Sequence, residues 1–300
     1  MSLRGIVFGF ALVVTISAPV LAQWPLWIPS GVPMTAEGKP DFNAPPPRTA
    51  DGKPNLSGVW GALPPPRPAA PPAAPGAAAA PGTPPAAGTP APPAAAPGPP
   101  TGPSGSVFGN IGAQLPGGAP YQPWAAELVK QRMADNSKDN PDAHCLPMGV
   151  MQMTSHPFPR KIIQTPAEVV MIYEASGTTV REIFLDGRPL PPADAQPWWN
   201  GYSIGRWEGD TLVVETAGFL DDGWLDVRGS PLTSAGKLTE RYRRPTYGSL
   251  EIEVTIDDPK AYTKPFTAKV INRLLVDSQL IEFVCLDKDV PHYVGAEYKK

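Results

Sequence analysis

The second half of the chain alternates between apolar and polar residues with the period of two that is typical of β-strands. Leu250 to Asp257 alternates without interruption, which predicts one buried and one solvated face. The central feature is a hairpin, in which Tyr202 to Trp207 and Thr211 to Thr216 flank the turn sequence Glu208-Gly209-Asp210. Other predicted strands are Ser57 to Trp60, Lys161 to Thr165, Glu168 to Glu174, Thr178 to Leu185, Leu238 to Arg243, Phe266 to Leu275 and Gln279 to Cys285.

These segments add up to about nine or ten strands, and short loops between successive strands favour pairing in chain order. A sheet of that size curls or closes, because open edges invite aggregation. We therefore predict a mainly β fold: an antiparallel meander forming a closed or nearly closed lipocalin-like barrel, in preference to a sandwich.

One helix is predicted, over Pro123 to Met133. Proline suits the first turn of a helix, and the basic residues lie late in the segment, as the helix dipole prefers. Trp124 and Leu128, joined by Val129 and Met133, form an apolar stripe. We expect this stripe to pack against the side or end of the barrel.

The N-terminal region divides into three segments before the β domain at 107–300. Residues 1–22 combine a basic start, a short apolar run and small residues before Gln23, which predicts a cleaved signal peptide and a secreted or periplasmic protein. The apolar run is too short for a comfortable membrane anchor, so no integral membrane segment is expected after cleavage. Residues 23–63 form an extended arm with the first strand. Residues 64–106 are rich in Pro, Ala and Gly, which predicts a disordered linker.

A short repeat occurs within the arm. Thr35 to Phe42 is echoed by Thr49 to Leu56, and each copy contains a Gly-Lys-Pro sequence. Two copies do not make a solenoid. We predict two similar turns, each leading into an extended segment.

Charge and cysteine content restrict the compartment and the partners. The net charge is −3, the pI is about 5.7 and no basic run occurs, so nothing indicates a nucleic-acid partner. Cys145 and Cys285 are the two cysteines. In an oxidising compartment we predict that they form one disulfide, and two buried free thiols are the alternative.

Several runs of the sequence resemble a family of uncharacterised secreted bacterial proteins. These runs are Gly205 to Val214, Thr239 to Pro245, Thr255 to Pro265, Asp51 to Trp60, Cys145 to Gly149 and Glu282 to Cys285. Members of this family often have His at the position of Tyr202, and the resemblance implies no activity. Gly58-Val59-Trp60 also resembles the Gly-x-Trp of the first lipocalin strand, although the long linker that follows departs from the lipocalin pattern.

Three common catalytic and cofactor motifs do not occur in the sequence. There is no Gly-x-Ser-x-Gly elbow, P-loop or dinucleotide fingerprint, and we predict no cofactor. The histidines, His144, His156 and His292, lack the spacing of a zinc site, so no metal is predicted.

Acidic residues near strands offer an alternative, an envelope hydrolase or isomerase that works through paired carboxylates. Cross-strand ion pairs on a solvated face are the simpler interpretation of several of them, including Glu240. The candidates are Asp210, Glu215, Asp226, Glu240, Glu251, Glu253, Asp257 and Asp258.

Aromatic residues around the central hairpin suggest a binding site instead. Trp198 and Trp199 precede the hairpin, and Tyr202 and Arg206 share one face of its first strand. These four are the predicted ligand-binding residues, with Arg206 free in solvent or paired with Glu208 or Glu215 as the alternative. The first hypothesis is thus a non-enzymatic domain that binds a small apolar or aromatic ligand, or a partner, in the cell envelope. A structural domain whose barrel is filled by side chains is a third hypothesis.

Overall fold

The computed structural model describes residues 28–62, 107–175 and 179–286. The predicted signal peptide and Pro/Ala/Gly linker lie outside these residues. The strands are β1 (Gly58–Ala62), β2 (Arg160–Gln164), β3 (Glu168–Tyr173), β4 (Val180–Phe184), β5 (Tyr202–Glu208), β6 (Thr211–Ala217), β7 (Gly223–Trp224), β8 (Pro231–Leu232), β9 (Lys237–Thr246), β10 (Ser249–Asp257) and β11 (Phe266–Leu274). The helices are α1 (Pro123–Ala134) and α2 (Val150–Ser155), with a 3₁₀ turn at Pro141–His144.

Nine strands close into a barrel in the order β1, β11, β10, β9, β6, β5, β4, β3, β2 and back to β1, while β7 and β8 form a separate hairpin. The predicted mainly β barrel is confirmed. It is a mixed barrel and not the antiparallel meander that we expected, because β4 and β5 run parallel. The chain from Leu185 to Gly201 must therefore cross from one end of the barrel to the other before β5 begins.

The barrel is filled by the side chains of its own strands. On β10, Leu250, Ile252, Val254 and Ile256 alternate inward and are at most 1% exposed. Trp60 of β1 is fully buried, and its indole Nε1 donates to the carbonyl of Leu56 at 2.9 Å. Close packing of this kind makes burial of apolar surface the main stabilising contribution to the fold.

The arm before β1 covers the end of the barrel that carries the β5–β6 and β9–β10 turns. The guanidinium of Arg48 donates to the carboxylate of Asp210 at 2.7 and 2.9 Å. The amides of Tyr247 and Gly248 donate to the carbonyls of Ala44 and Phe42. The arm is therefore part of the barrel's packing.

The two repeat copies fold into matching turns, as predicted. In the first, the amide of Thr35 donates to Lys39, and that of Gly38 donates to Thr35. The second copy repeats both bonds fourteen residues later, and the turn glycines, Gly38 and Gly52, have φ of 72° and 77°. A positive φ explains why each turn contains glycine.

The opposite end of the barrel is covered by the chain between the linker and β2. All six residues of α2 are buried, and Arg160 of β2 donates to the carbonyls of Thr154 and His156. The side-chain amide of Gln114 bonds both the N–H and the C=O of Lys269, as a neighbouring strand would. This segment thus adds hydrogen bonds to β11 at a position outside the β1–β11 pairs Trp60–Leu274 to Ala62–Asn272.

Helix α1 buries one member of the predicted apolar stripe, Val129, and leaves two others exposed. Its buried residues are Ala125 and Val129. Trp124 and Met133, two members of the predicted stripe, are 47% and 44% exposed. The small alanine allows a close approach to the loop after β10, where the amide of Gln122 donates to the carbonyl of Ala261.

The chain after β11 corrects a second prediction. Residues 279–285 do not form a strand, because β11 already pairs with β10 on one side and β1 on the other. The predicted disulfide is confirmed: Cys145 and Cys285 are joined, with their Cα atoms 5.4 Å apart. It holds the C-terminal segment against the barrel, and Ile281 adds a backbone hydrogen bond to the carboxylate of Glu174 at 2.9 Å.

Candidate functional site

The barrel interior contains a network of buried charged and polar side chains around Arg181 and Glu240. The guanidinium of Arg181 donates to both carboxylate oxygens of Glu240, to the hydroxyl of Ser203 at 3.1 Å and to that of Thr216 at 2.8 Å. The phenol of Tyr242 donates to the same carboxylate at 2.8 Å. Every member of this network is 4% exposed or less.

Two pKa values follow from this environment. Burial alone would lower the pKa of Arg181, but the adjacent carboxylate raises it well above the usual value. Burial, and then the charge of Glu240, raise the pKa of Tyr242. The pair is therefore hydrogen-bonded on every side and shielded from solvent. Such a network specifies the packing of a core and presents no open face to a substrate.

The other candidate carboxylates bind different partners in different parts of the barrel. Glu215 pairs with Arg206 and Lys237 on the outside, and Glu253 pairs with Lys269. Asp226 is fully buried and accepts bonds from the amides of Ile111 and Ser230 and from the Ser230 hydroxyl. The expectation that Glu240 forms a cross-strand pair on a wet face is wrong, since its partner lies across the barrel interior.

Aromatic residues cluster on the outer surface, where parallel β4 and β5 meet. The rings of Phe184 and Tyr202 are stacked with centroids 5.2 Å apart, and Trp198 lies 5.1 Å from Tyr202. The guanidinium of Arg188 lies 3.9 Å from the centre of the Phe184 ring and donates to the Tyr202 hydroxyl at 3.0 Å. We call these four residues the outer aromatic patch.

The backbone holds Trp198 in a defined position. Its amide donates to the carbonyl of Gly218, and its carbonyl accepts from the amide of Leu220. Gly218 has a φ of 75°, and a Cβ at this position would lie 3.3 Å from the indole. Glycine therefore serves both the turn and the close approach of the ring.

The polar side of the patch is fixed by an ion pair. Asp186 accepts bonds from Nε and Nη2 of Arg188, so the hydrogen bonds to Arg188 lower the pKa of this carboxyl. The bonds to Asp186 and Tyr202 raise the pKa of the guanidinium. A guanidinium has five N–H donors. Those not directed at Asp186 and Tyr202 remain available, because the Arg188 side chain is 41% exposed.

The structure brings two of the four predicted ligand-binding residues together. Trp198 and Tyr202 are in contact. Trp199 turns away and donates from Nε1 to the carbonyl of Pro147 at 2.6 Å. Arg206 shares the outer face of β5 but pairs with Glu215 at 2.8 Å and Glu208 at 3.0 Å, which is the alternative left open by the sequence.

Phe184 and Arg188 were missed from the sequence. The signal for Phe184 was its alternation with inward-facing Ile183, which places it on the outside of β4. Its proximity to Tyr202 depends on the parallel β4–β5 pair, which the predicted meander did not contain.

Within the part of the chain that the structure describes, no group of three or more His, Cys, Asp or Glu side chains could hold a metal ion. No helix in those same residues has the length and apolar character needed to cross a membrane. Comparison of the chain with protein-family models, curated proteins and solved structures finds no match.

Proposed function

We propose that this protein is a non-enzymatic binding domain of the cell envelope that holds a small aromatic or sugar-like ligand on the outside of its barrel. The outer aromatic patch carries the proposal. A protein that buries its core this fully still leaves Trp198 39% exposed beside a second and a third ring. Exposed aromatic faces with a few fixed polar groups are typical of small-molecule sites.

The polar groups around the rings suit a neutral ligand with hydroxyl or carbonyl groups. Arg188 supplies N–H donors and Asp186 supplies acceptor oxygens, and their ion pair balances the charge. The rings would take up the apolar face of the ligand. Side chains occupy the described interior positions of the barrel. The ligand would therefore bind on the outer surface, and the lipocalin-like barrel would serve as the scaffold for that site.

The proposal includes a secreted or periplasmic location. The disulfide suits an oxidising compartment, and the resemblance to a family of secreted bacterial proteins points the same way. Secretion is tested by determining the N-terminus of the protein recovered from its host. We expect Gln23 as the first residue.

The ligand proposal is tested by screening soluble mono- and oligosaccharides and small aromatic alcohols by ligand-observed NMR with the mature chain. For any ligand found, Trp198→Ala and Tyr202→Ala should weaken binding about tenfold or more, since each removes contact surface worth more than 1 kcal/mol. Arg206→Ala is the matched control, because it alters the same face of β5 outside the patch.

Unchanged binding in both patch variants, with folding intact by circular dichroism, would contradict the site. If no compound in the screen binds, the structural-domain hypothesis is favoured, because it requires no ligand.

A further inference from the structure

A cleft lies between α1 and the loops that precede and follow the β9–β10 hairpin. It has a volume of about 440 Å³ and shares no residue with the outer aromatic patch. From α1 it is lined by Trp124, Leu128 and Arg132, which are spaced four residues apart and so lie on one face of the helix. Lys260 and Asp221 line the opposite side.

Trp124 contributes little to the burial of the helix. Ala125 and Val129 make the core contact, while Trp124 keeps 47% of its surface exposed. Its indole Nε1 donates to the carbonyl of Lys260 at 2.8 Å, which fixes the ring at the wall of the cleft. A large ring that is oriented and left open provides a contact surface for a ligand.

The loop walls of the cleft are held together by one buried carboxylate. Asp258, 1% exposed, accepts from the amide and hydroxyl of Thr233 at 2.7 and 2.9 Å and from the amide of Lys260 at 3.2 Å. Asp221 accepts from the amide of Ser234 at 2.6 Å. The cleft is therefore formed before any ligand arrives, which lowers the entropy cost of binding.

The two basic residues of the cleft form no close ion pair. In the described chain, neither Arg132 nor Lys260 has a carboxylate within ion-pair distance. Arg132 lies over the Trp224 ring and donates to the carbonyl of Gly229, while Lys260 makes one long bond of 3.4 Å to Ser234. Asp221 is the one carboxylate among the lining residues, and the charge of Lys260 acts on it. The charges of Asp139, Asp222 and Asp226 act on Arg132 and offset its own, so the cation left for a ligand is the exposed ammonium of Lys260.

We infer that this cleft binds a small monocarboxylate with an apolar or aromatic body. The body lies on Trp124 and Leu128, and the carboxylate accepts hydrogen bonds from the ammonium of Lys260. The volume lies within the range of pockets for small ligands.

The test compares three probes of one shape with the full mature chain: 3-phenylpropanoate, 3-phenylpropan-1-ol and 3-phenylpropylamine, measured by isothermal titration calorimetry and ligand-observed NMR. The acid should bind about tenfold more tightly than the alcohol, since a charged hydrogen bond contributes more than a neutral one. The amine should bind more weakly than the alcohol.

Variants locate the site. Lys260→Gln should remove the preference for the acid and leave the alcohol unchanged, while Lys264→Gln, an exposed lysine in the same loop, should change neither. Trp124→Ala should weaken acid and alcohol alike. Leu128→Ala, which breaks no hydrogen bond, should do the same to a smaller degree.

Equal affinity for acid and alcohol, no binding of any probe at millimolar concentration, or an unaltered acid affinity in Lys260→Gln would each overturn the inference. Trp198→Ala separates this cleft from the outer aromatic patch. It should leave the affinity for 3-phenylpropanoate unchanged whether or not the patch binds a ligand of its own.

Discussion

Arg181 on β4 and Glu240 on β9 form an ion pair across the inside of the barrel, with side-chain exposures of 3% and 1%. Their strands are not neighbours, because β5 and β6 lie between them in the sheet. The pair therefore links two parts of the barrel wall that share no backbone ladder. Ser203 of β5 and Thr216 of β6 complete the hydrogen bonds of the guanidinium.

Removing one partner of this pair should destabilise the protein strongly. Arg181→Met leaves a buried carboxylate without its cation, and such a change costs about 3–5 kcal/mol. The double variant Arg181→Met/Glu240→Leu should recover much of that loss, since no isolated charge remains. The measurement is chemical denaturation of the single and double variants, read as a double-mutant cycle.

The exposed pair of Lys269 and Glu253 is the control. Its nitrogen and oxygen are 2.7 Å apart, and its side chains are 67% and 46% exposed. Breaking it should change the free energy of unfolding far less than breaking the interior pair, because solvent screens an exposed ion pair. If Arg181→Met costs no more than Lys269→Ala, the interior pair does not hold the barrel wall together.

The pair of Arg181 and Glu240 could be predicted only in part from the sequence. On β9, Glu240 alternates with Leu238 and Tyr242, so the inward position of its carboxylate could be predicted from the apolar residues on either side. That Arg181 is the partner of Glu240 could not be predicted from the sequence. Arg181 lies 59 residues away, and the two meet only because parallel β4 and β5 set the order of strands around the barrel.

The predicted ligand-binding residues also fall into those whose positions could be predicted and those whose partners could not. Trp198 and Tyr202 were placed together correctly, because four residues of chain leading into a predicted strand leave little freedom. Arg206 shares the face of Tyr202, but neighbouring Glu208 and Glu215 bind its charge. Competition among nearby charges depends on cross-strand register, which the hydrophobic pattern of one strand does not encode.

The disulfide should stabilise the C-terminal segment more than the barrel. The barrel closes through β1 and β11, and residues 275–286 contribute no strand to it. In Cys145→Ala/Cys285→Ala, hydrogen exchange should accelerate over 279–286 and stay slow in β10. The crosslink spans 140 residues, so its loss also favours the unfolded chain, and any acceleration in β10 should be smaller than that in the segment.

Mass analysis of the non-reduced digest gives the direct check on the bond. The peptides that contain Cys145 and Cys285 should be recovered as one linked species. Recovery of both peptides with labelled free thiols would contradict the disulfide. Equal acceleration of exchange in β10 and in the segment would instead mean that the crosslink supports the whole barrel.

The N-terminal arm should be required for folding. β1 pairs with β2 on one side and β11 on the other, and Trp60 is fully buried. A protein reduced to residues 107–300 loses this strand and exposes both of its neighbours. We expect no cooperative thermal transition for it, or one far below that of the mature chain.

A cut within the linker tests the same point without deleting residues. With a specific protease site placed between residues 64 and 106, the cleaved arm should co-elute with the barrel in gel filtration. Release of the arm, with the remainder still folded, would show that β1 is dispensable.

The last prediction concerns His156, which is 8% exposed at the end of α2. Its ring contacts Phe108 and Phe158, and its Nδ1 accepts from the amide of Phe158 at 3.0 Å. Burial, and then the charge of Arg160, lower the pKa of the imidazole to about 4. In the unfolded chain the pKa of a histidine is about 6.5.

Between these two pKa values the unfolded state binds a proton that the folded state does not. The free energy of unfolding contributed by this group therefore falls as the pH decreases from about 6.5 to about 4, by about 2–3 kcal/mol in total. Asp142 acts in the opposite direction. Burial raises the pKa of its carboxyl to about 6, so its contribution is lost as the pH rises from about 4 to about 6.

Comparison of variants separates the two groups. His156→Asn keeps an acceptor for the Phe158 amide but does not titrate, so between pH 7 and pH 4.5 it should lose about 2 kcal/mol less stability than the wild type. Asp142→Asn should lose more than the wild type over the same interval. Urea denaturation at four or five pH values measures both. A constant difference between wild type and His156→Asn at every pH would show that His156 titrates alike in the folded and unfolded states.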